Sequence, residues 1–456
     1  MGKKYDFDYL IIGSGPAGST TALTLAKAKK SVGLIEDRAF GGTNLSTRDI
    51  PYSVALDFAH VYSRIQSYPA LKNQDFHFNL PSVLASELRA IIKIGGNNKA
   101  LYEKAGITCI SGFANLLDHH TVAVKDKKYT AANLILATGS SLKTSSIPSA
   151  PFIKHLTPET AIKIRRLPKV VAVVGGGATG CEIAEFYAEL GVKIILFENS
   201  KRLLPHEDRE VGTCLAEYFT KKLGITVLTS SRVVALEKDE FSKRVIFRHE
   251  NVEKLVRVDN IVLATGSQPN LEYGLENAGV KYTKTGITVN KYFETSAKNI
   301  YAIGDCIGGN SSTDRAYAEG FTLANNLINK VKNPVNYRGL VRSVKTLPEI
   351  AVVGSTEAEL LKRGRKYHKA IANLSSTTVS ELYHFDSGFV KLISDRTNHI
   401  IGASIVAPHA DLIASEIATA VRHNLTALEL ASTPHAINSY NYLVKLAAKQ
   451  LLKKKS

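Results

Sequence analysis

YDFDYLIIGSGPAGSTTALTLAKAKKSVGLIED, residues 5–37, reads as a strand, a glycine turn, a helix and a second strand. The apolar run at 9–12 leads straight into Gly13, Gly15 and Gly18, with Pro16 and Ala17 between the last two. Helical spacing follows through Ala22 and Leu25, and the second strand ends at Glu36. The order has a chemical reason. Glycines allow a tight turn and close backbone approach to a pyrophosphate. The helix N-terminus offers free N–H groups and the positive end of its dipole. The acid after the second strand accepts from a ribose hydroxyl.

The unit recurs at 169–200, KVVAVVGGGATGCEIAEFYAELGVKIILFENS, with Gly175, Gly177, Gly180 and the closing acid Glu198. In both units the acid follows the first glycine by 23 positions, 13 to 36 and 175 to 198. One such motif is weak evidence. Two, each between strand and helix and each with an acid at the same offset, are strong. Each unit is followed by a similar strand: ANLILATGSS, with Ala137, Thr138, Gly139 and Ser140, and DNIVLATGSQPN, with Ala264 to Ser267. A further stretch, KNIYAIGDCIGG, sets Gly304 and Asp305 at a strand end, where a carboxylate suits a polyol hydroxyl.

The length, 456 residues, gives room for two or three domains. No apolar run reaches the ~18 residues of a membrane span, and the first apolar run enters a glycine turn rather than a cleavage site. The expectation is a cytoplasmic protein. The net charge of +17 is read as a lysine-rich solvated surface, because no basic block is interleaved with aromatics; no nucleic-acid partner is expected. The ending KQLLKKKS closes an amphipathic helix and suggests weak contact with an anionic membrane surface. Cys109, Cys181, Cys214 and Cys306 form no C-x-x-C or C-x4-C pair, and the histidines lack ligand spacing, so no metal is expected.

Taken together, the motifs resemble the pyridine nucleotide–disulfide oxidoreductases, such as dihydrolipoamide dehydrogenase, mercuric reductase and soluble transhydrogenase, over nearly the whole chain. The resemblance implies an α/β fold: two Rossmann-like dinucleotide-binding domains plus an α+β dimerisation domain. The FAD domain would span 1–145 and 271–335, the NAD(P) domain 146–270, and the dimerisation domain 336–456 of a homodimer. On the FAD side it implies Gly13, Gly15, Pro16, Ala17, Gly18 and Glu36 at the pyrophosphate and ribose. Gly42 and Thr43 would lie near the diphosphate, and Ala114 at the adenine. Ala137 to Ser140 would pack on the cofactor, with Gly304 and Asp305 at the ribityl chain. The stretch SSTDRAYAEG, 311–320, matches a helix whose N-terminus faces the flavin, which places Ser311, Ser312, Thr313 and Asp314 there. On the other side it implies Gly175, Gly177, Gly180, Glu182, Glu198, Val233 and Gly266 at the nicotinamide dinucleotide. Glu198 argues for NADH over NADPH, since a carboxylate repels a 2′-phosphate.

Two departures stand out. The family reads C-x4-C-x-P-S-K after its G-G-T. Here FGGTNLSTRDIPYS, 40–53, has Asn44 and Asp49 at the cysteine positions and Ser53 at the lysine that pairs with the glutamate matching Glu182. Glu182 is therefore expected to lose that partner. The family's H-x-H-P-T-x-S-E becomes HAINSYNY, 435–442, with Ile437 at the catalytic histidine and Tyr442 at its glutamate. Thiol–disulfide exchange needs a thiolate and a general acid. The expectation is an FAD-dependent NADH oxidoreductase serving a small-molecule acceptor other than a disulfide, a quinone by preference. Asp49 and Glu182 are its candidate catalytic residues. The alternatives are a flavin-binding scaffold or redox sensor, a transhydrogenase or metal reductase, and a disulfide reductase using displaced cysteines such as Cys181.

Overall fold

The computed structural model describes residues 4–46, 49–68, 79–143, 147–164, 166–240, 242–309, 312–383 and 385–453; side chains at 44, 46, 49, 66, 67 and several positions between 80 and 96 stay outside the description. The chain divides into two compact units.

Residues 1–51, 82–144 and 266–336 form the first unit. Parallel strands run in the order Thr108–Ser111, Val32–Glu36, Phe7–Ile12, Lys127–Leu136 and Ile300–Ala302. Val32–Glu36 is buried at every position, as a strand covered on both faces requires. Lys127–Leu136 pairs twice. Its last residues run parallel to Phe7–Ile12, and its first four run antiparallel to Thr121–Val124, which carries Ala114–Leu116. Helices Pro16–Lys27 and Thr313–Asn329 pack closely enough that a Cβ on Gly320 would stand 2.4 Å from the Ala17 carbonyl oxygen.

Residues 52–81, 145–265 and 337–456 form the second unit. It opens on a parallel sheet ordered Thr226–Leu228, Lys193–Phe197, Val170–Val174 and Asn260–Leu263, beside an antiparallel ribbon of Ser231–Lys238, Lys243–His249 and Val252–Val258. The C-terminal part is α+β. Its antiparallel sheet is ordered Val341–Val344, Glu349–Gly354, Ile400–Ala407, Phe389–Ser394 and His368–Asn373. Helices Ala410–Arg422 and Tyr442–Lys453 bury their apolar faces in its core.

That packing changes one expectation. The last helix buries Leu443, Val444, Ala447, Ala448 and Leu451, so its apolar face fills the core and only its charged side is left for a lipid surface. Residues 49–67 are helical, Pro51 included. Among the described residues no helix is long and apolar enough to cross a membrane.

Lys391 is fully buried, with Nζ 3.0 Å from Asp208 Oδ2 and 3.1 Å from Glu210 Oε2, and it also pairs with Glu357. One cation thus joins the turn before helix Arg209–Lys221 to the C-terminal sheet. Removing it would leave buried Asp208 without its cation, with Glu210 and Glu357 left to Lys369 alone. Lys391→Ala should lower the unfolding free energy by about 3–5 kcal/mol in urea titration; a loss below ~1 kcal/mol would contradict this role.

Candidate dinucleotide-binding sites

The two glycine turns are built alike. Gly13 N donates to Ile35 O, and Gly175 N donates to Phe197 O, each at 2.8 Å. Both first glycines have positive φ, +101° and +115°. A Cβ on Gly13 would lie 2.2 Å from Ala137 O, and one on Gly175 would lie 2.3 Å from Ala264 O. A Cβ on the third glycine, Gly18 or Gly180, would lie 1.9 or 1.8 Å from the carbonyl oxygen of the first. These four glycines are demanded by the protein's own backbone.

The middle glycines are not. A Cβ on Gly15 or Gly177 would meet no protein atom within 4 Å, and both residues have ordinary φ, −62° and −77°. Each caps a helix that has no side-chain cap and no acid in its first turn. By contrast, helices Glu357–Lys362 and Ala427–Ser432 carry threonine capping boxes. The open space over Gly15 and Gly177 and the uncapped helix starts fit a pyrophosphate approaching the backbone. Gly139 and Gly266 also face open space, with φ of +68° and +94°.

The closing acids are tied into these turns. Ser14 donates to Glu36 Oε2 from its backbone N at 2.9 Å and from Oγ at 2.6 Å, while Arg38 N reaches Oε1 at 3.1 Å. Gly176 N donates to Glu198 Oε2 at 2.7 Å, and Ser200 N to Oε1 at 2.6 Å. Both acids are buried. Burial pushes the Glu36 carboxyl up, and the two Ser14 hydrogen bonds oppose that rise. Sequence reading assigned nothing to Ser14. Its only signal was its place inside the glycine motif.

The remaining residues of the first unit gather around these elements. A Cβ on Gly42 would stand 2.6 Å from Gly15 Cα, and Thr43 follows in the short helix Gly42–Ser46. Ala114 is buried opposite Val124. Thr138 Oγ1 donates to Asn270 O at 2.9 Å, and Asn270 Nδ2 returns a bond to Thr138 O at 2.8 Å. Ser140 Oγ donates to Asp305 Oδ2 at 2.7 Å. Ser312 caps helix Thr313–Asn329, accepting from Arg315 N at 3.1 Å, and Asp314 lies in its first turn. Buried Glu319, also missed from sequence, accepts from Gly304 N and Arg315 Nε, each at 2.7 Å. Ser311 and the side chains of Asn44 and Asp49 lie outside the described residues.

In the second unit, Val233 is buried beside a bulge in its strand. Glu182 has a partner elsewhere in the chain: Lys345 N donates to its Oε1 at 2.9 Å. Lys345 also carries a charge held up against burial by Asp411, Glu349 and Glu182. The C-terminal histidine is equally committed. His435 Nε2 is 2.8 Å from Glu416 Oε1, and its Nδ1 is 2.8 Å from Thr433 O. Ile437 is exposed. All four cysteines are free thiols. Burial pushes Cys109, Cys214 and Cys306 up to about 11, and fully buried Cys181 rises well above its ordinary value, next to Glu182, Glu185 and Glu198. Among the described residues no group of His, Cys, Asp and Glu is placed to hold a metal ion.

Two turns of one design define the class: a chain with two dinucleotide-binding units and an α+β C-terminal part. The comparisons agree. Residues 7–320 match the family model of the pyridine nucleotide-disulphide oxidoreductases, and 341–446 match their dimerisation domain. The chain belongs to that family, whose cofactors are FAD and a pyridine nucleotide. It is 31% identical over 446 residues to a dihydrolipoyl dehydrogenase of Chlamydia pneumoniae, covering 94% of each chain. It is 28% identical over 439 residues to a mercuric reductase of Staphylococcus aureus, covering 94% of this chain and 79% of that one. The solved structure of LpdA from Mycobacterium tuberculosis superposes with a TM-score of 0.88 at 25% identity, covering 97% of this chain and 99% of that one.

These geometries separate two kinds of glycine. Gly15→Val should leave the fold intact while lowering the FAD content of the purified protein. Gly18→Val should prevent folding. Thermal melting and flavin absorbance distinguish them, and equal FAD content in wild type and Gly15→Val would contradict the assignment.

Proposed function

We propose that this protein passes reducing equivalents from NADH, by way of FAD, to an acceptor other than a disulfide, a quinone by preference. The observation that carries the reading is the state of the sulfur. The family's two cysteine positions are Asn44 and Asp49, and the four cysteines present are all free and held as thiols. A thiolate nucleophile is the requirement of disulfide exchange, and desolvated thiols do not supply one. The missing acid supports the same reading: Ile437 replaces the family histidine, and both nitrogens of His435 are engaged within its own chain.

Bound FAD supplies the hydride acceptor and the outlet for electrons. The chain's own residues supply placement. We assign 1–145 and 271–335 to FAD, 146–270 to the nicotinamide coenzyme, and 336–456 to a homodimer contact. Gly13, Gly15, Gly18, Gly42 and Thr43 would cradle the FAD diphosphate, with Glu36 at its ribose. The Ser140–Asp305 pair would meet the ribityl chain, and the helix start at Ser312 to Asp314 would favour negative charge on the ring. Gly175, Gly177 and Gly180 would hold the second pyrophosphate. Glu182, oriented by Lys345 N, would stand at the nicotinamide end, and Asp49 at the flavin.

Glu198 supports NADH. Arg202, the cation four positions on, donates from Nη2 to Pro205 O at 2.9 Å and Glu207 O at 3.3 Å, which engages it within its own loop. Glu198→Gln should therefore lower kcat/KM for NADH by about tenfold to a hundredfold, the scale of one charge-assisted hydrogen bond. NADPH should gain relative to NADH. Steady-state oxidation of NADH should proceed with menadione, withstand iodoacetamide, and fail with lipoamide or glutathione disulfide. Turnover of either disulfide, or loss of activity on alkylation, would overturn the reading. FAD that NADH leaves oxidised would point instead to a scaffold or sensor.

A further inference from the structure

The helix that starts at the second glycine turn, Ala178–Glu189, carries a feature that the reading above does not use. Glu185 is fully buried on that helix, and Glu189 is largely buried one turn later. His60, on helix Asp49–Ser67, puts Nε2 3.3 Å from Glu185 Oε1, an ion-pair contact longer than a well-formed hydrogen bond. Leu347 N donates to the same oxygen at 2.6 Å. Among the described residues, Glu185 Oε2, Glu189 Oε1 and Glu349 Oε2 are buried with no hydrogen-bond partner.

The groups facing this pocket come from four elements. Helix Asp49–Ser67 contributes His60 and Ser63, which bonds Glu189. Helix Ala178–Glu189 contributes Glu185 and Glu189, and helix Arg209–Lys221 contributes Tyr218, whose hydroxyl feels both carboxylates. The strand Glu349–Gly354 contributes Glu349, which in turn faces Lys345, Asp411 and His409. Lys345 is itself paired with Asp411 at 2.5 Å. Two buried carboxylates, Glu185 and Glu189, thus face the His60 imidazole, while the partly buried Glu349 beside them faces His409 and a lysine already paired with Asp411.

We propose that His60 and Glu185 share one proton that ties helix Asp49–Ser67 to the coenzyme helix Ala178–Glu189, and that its loss as pH rises through neutrality loosens that helix and weakens NADH binding. The inference rests on the NADH reading above. His60 and Glu185 are positioning residues: they act through the helix whose start at Gly177 faces the pyrophosphate. With the proton present, the imidazolium offsets one carboxylate. Without it, uncompensated negative charge remains in the pocket and repels across the helix contact.

The direction of titration agrees. Burial raises the Glu185 carboxyl to about 7, against the pull of His60, and Glu189 raises it further. Burial alone would lower His60, but its contact with Glu185, then the charges of Glu185, Glu189 and Glu349, raise it overall. Both folded values lie above the ordinary ones. The folded protein therefore holds a proton that the unfolded chain releases. Stability from this proton is present at low pH and is lost as pH rises from the ordinary carboxylate value of 4.5 through about 7.

The test is calorimetric binding of NADH to the FAD-loaded protein across pH 6 to 8.5, with melting temperatures measured in parallel. In wild type, Kd should rise with pH, by at most about tenfold per pH unit for one proton, and the melting temperature should fall. Glu185→Gln should flatten both profiles while keeping the low-pH Kd. His60→Gln should move both profiles to higher pH, because the imidazole no longer pulls the Glu185 carboxyl down, which covers the case in which the first variant folds poorly. NADH binding with a flat wild-type profile, or with the wild-type profile unchanged in both variants, would overturn this inference alone. Absence of NADH binding at any pH would overturn the function reading, and with it the coupling to the coenzyme.

Discussion

The hydrogen bond from the residue after the first glycine to the acid at the end of the second strand sets both nucleotide units. Ser14 N to Glu36 and Gly176 N to Glu198 each close a loop of strand, turn, helix and strand with one buried carboxylate. The acid cannot then move without the turn. The turn cannot relax, because a Cβ on the first or third glycine would overlap backbone carbonyls. What remains open is the space over Gly15 and Gly177, beside helix starts whose N–H groups have no side-chain cap. An anion-binding surface follows from the packing rather than being added to it.

In the C-terminal part the polar groups of 435–442 are taken up by the fold. His435 is fixed to Glu416 and Thr433. Tyr440, partly buried against the core, packs at 5.7 Å from the exposed Tyr383 and 6.2 Å from His409. Glu182 accepts from the backbone N–H of Lys345, whose charge it helps to hold up. Farther along the same helix the chain buries more carboxylate than cation at Glu185, a load that an apolar residue there would avoid.

Much of the fold was legible because it rests on period and punctuation. Apolar runs ending at Gly13 and Gly175, and acids at equal offsets, are local signals that need no tertiary knowledge. The residues that escaped are those whose roles come from elements far apart in sequence. Glu319 matters because Gly304 N reaches it, and His60 because a helix more than a hundred residues later brings Glu185 to it. Nothing local distinguishes such a glutamate from a solvated one. Lys391 is a similar case: a lysine inside a strand reads as an outward-facing residue until the carboxylates of Asp208, Glu210 and Glu357 surround it. The C-terminal helix misled for the opposite reason. Its amphipathic pattern was real, but its apolar face serves the core.

The central claim is that the chain's redox capacity is that of its flavin alone, with no disulfide in series. Anaerobic reductive titration of the purified protein, counted in electrons per FAD, tests it most directly. Full reduction after two electrons is the predicted result. Uptake of four electrons would show a redox-active disulfide in the protein and contradict the account.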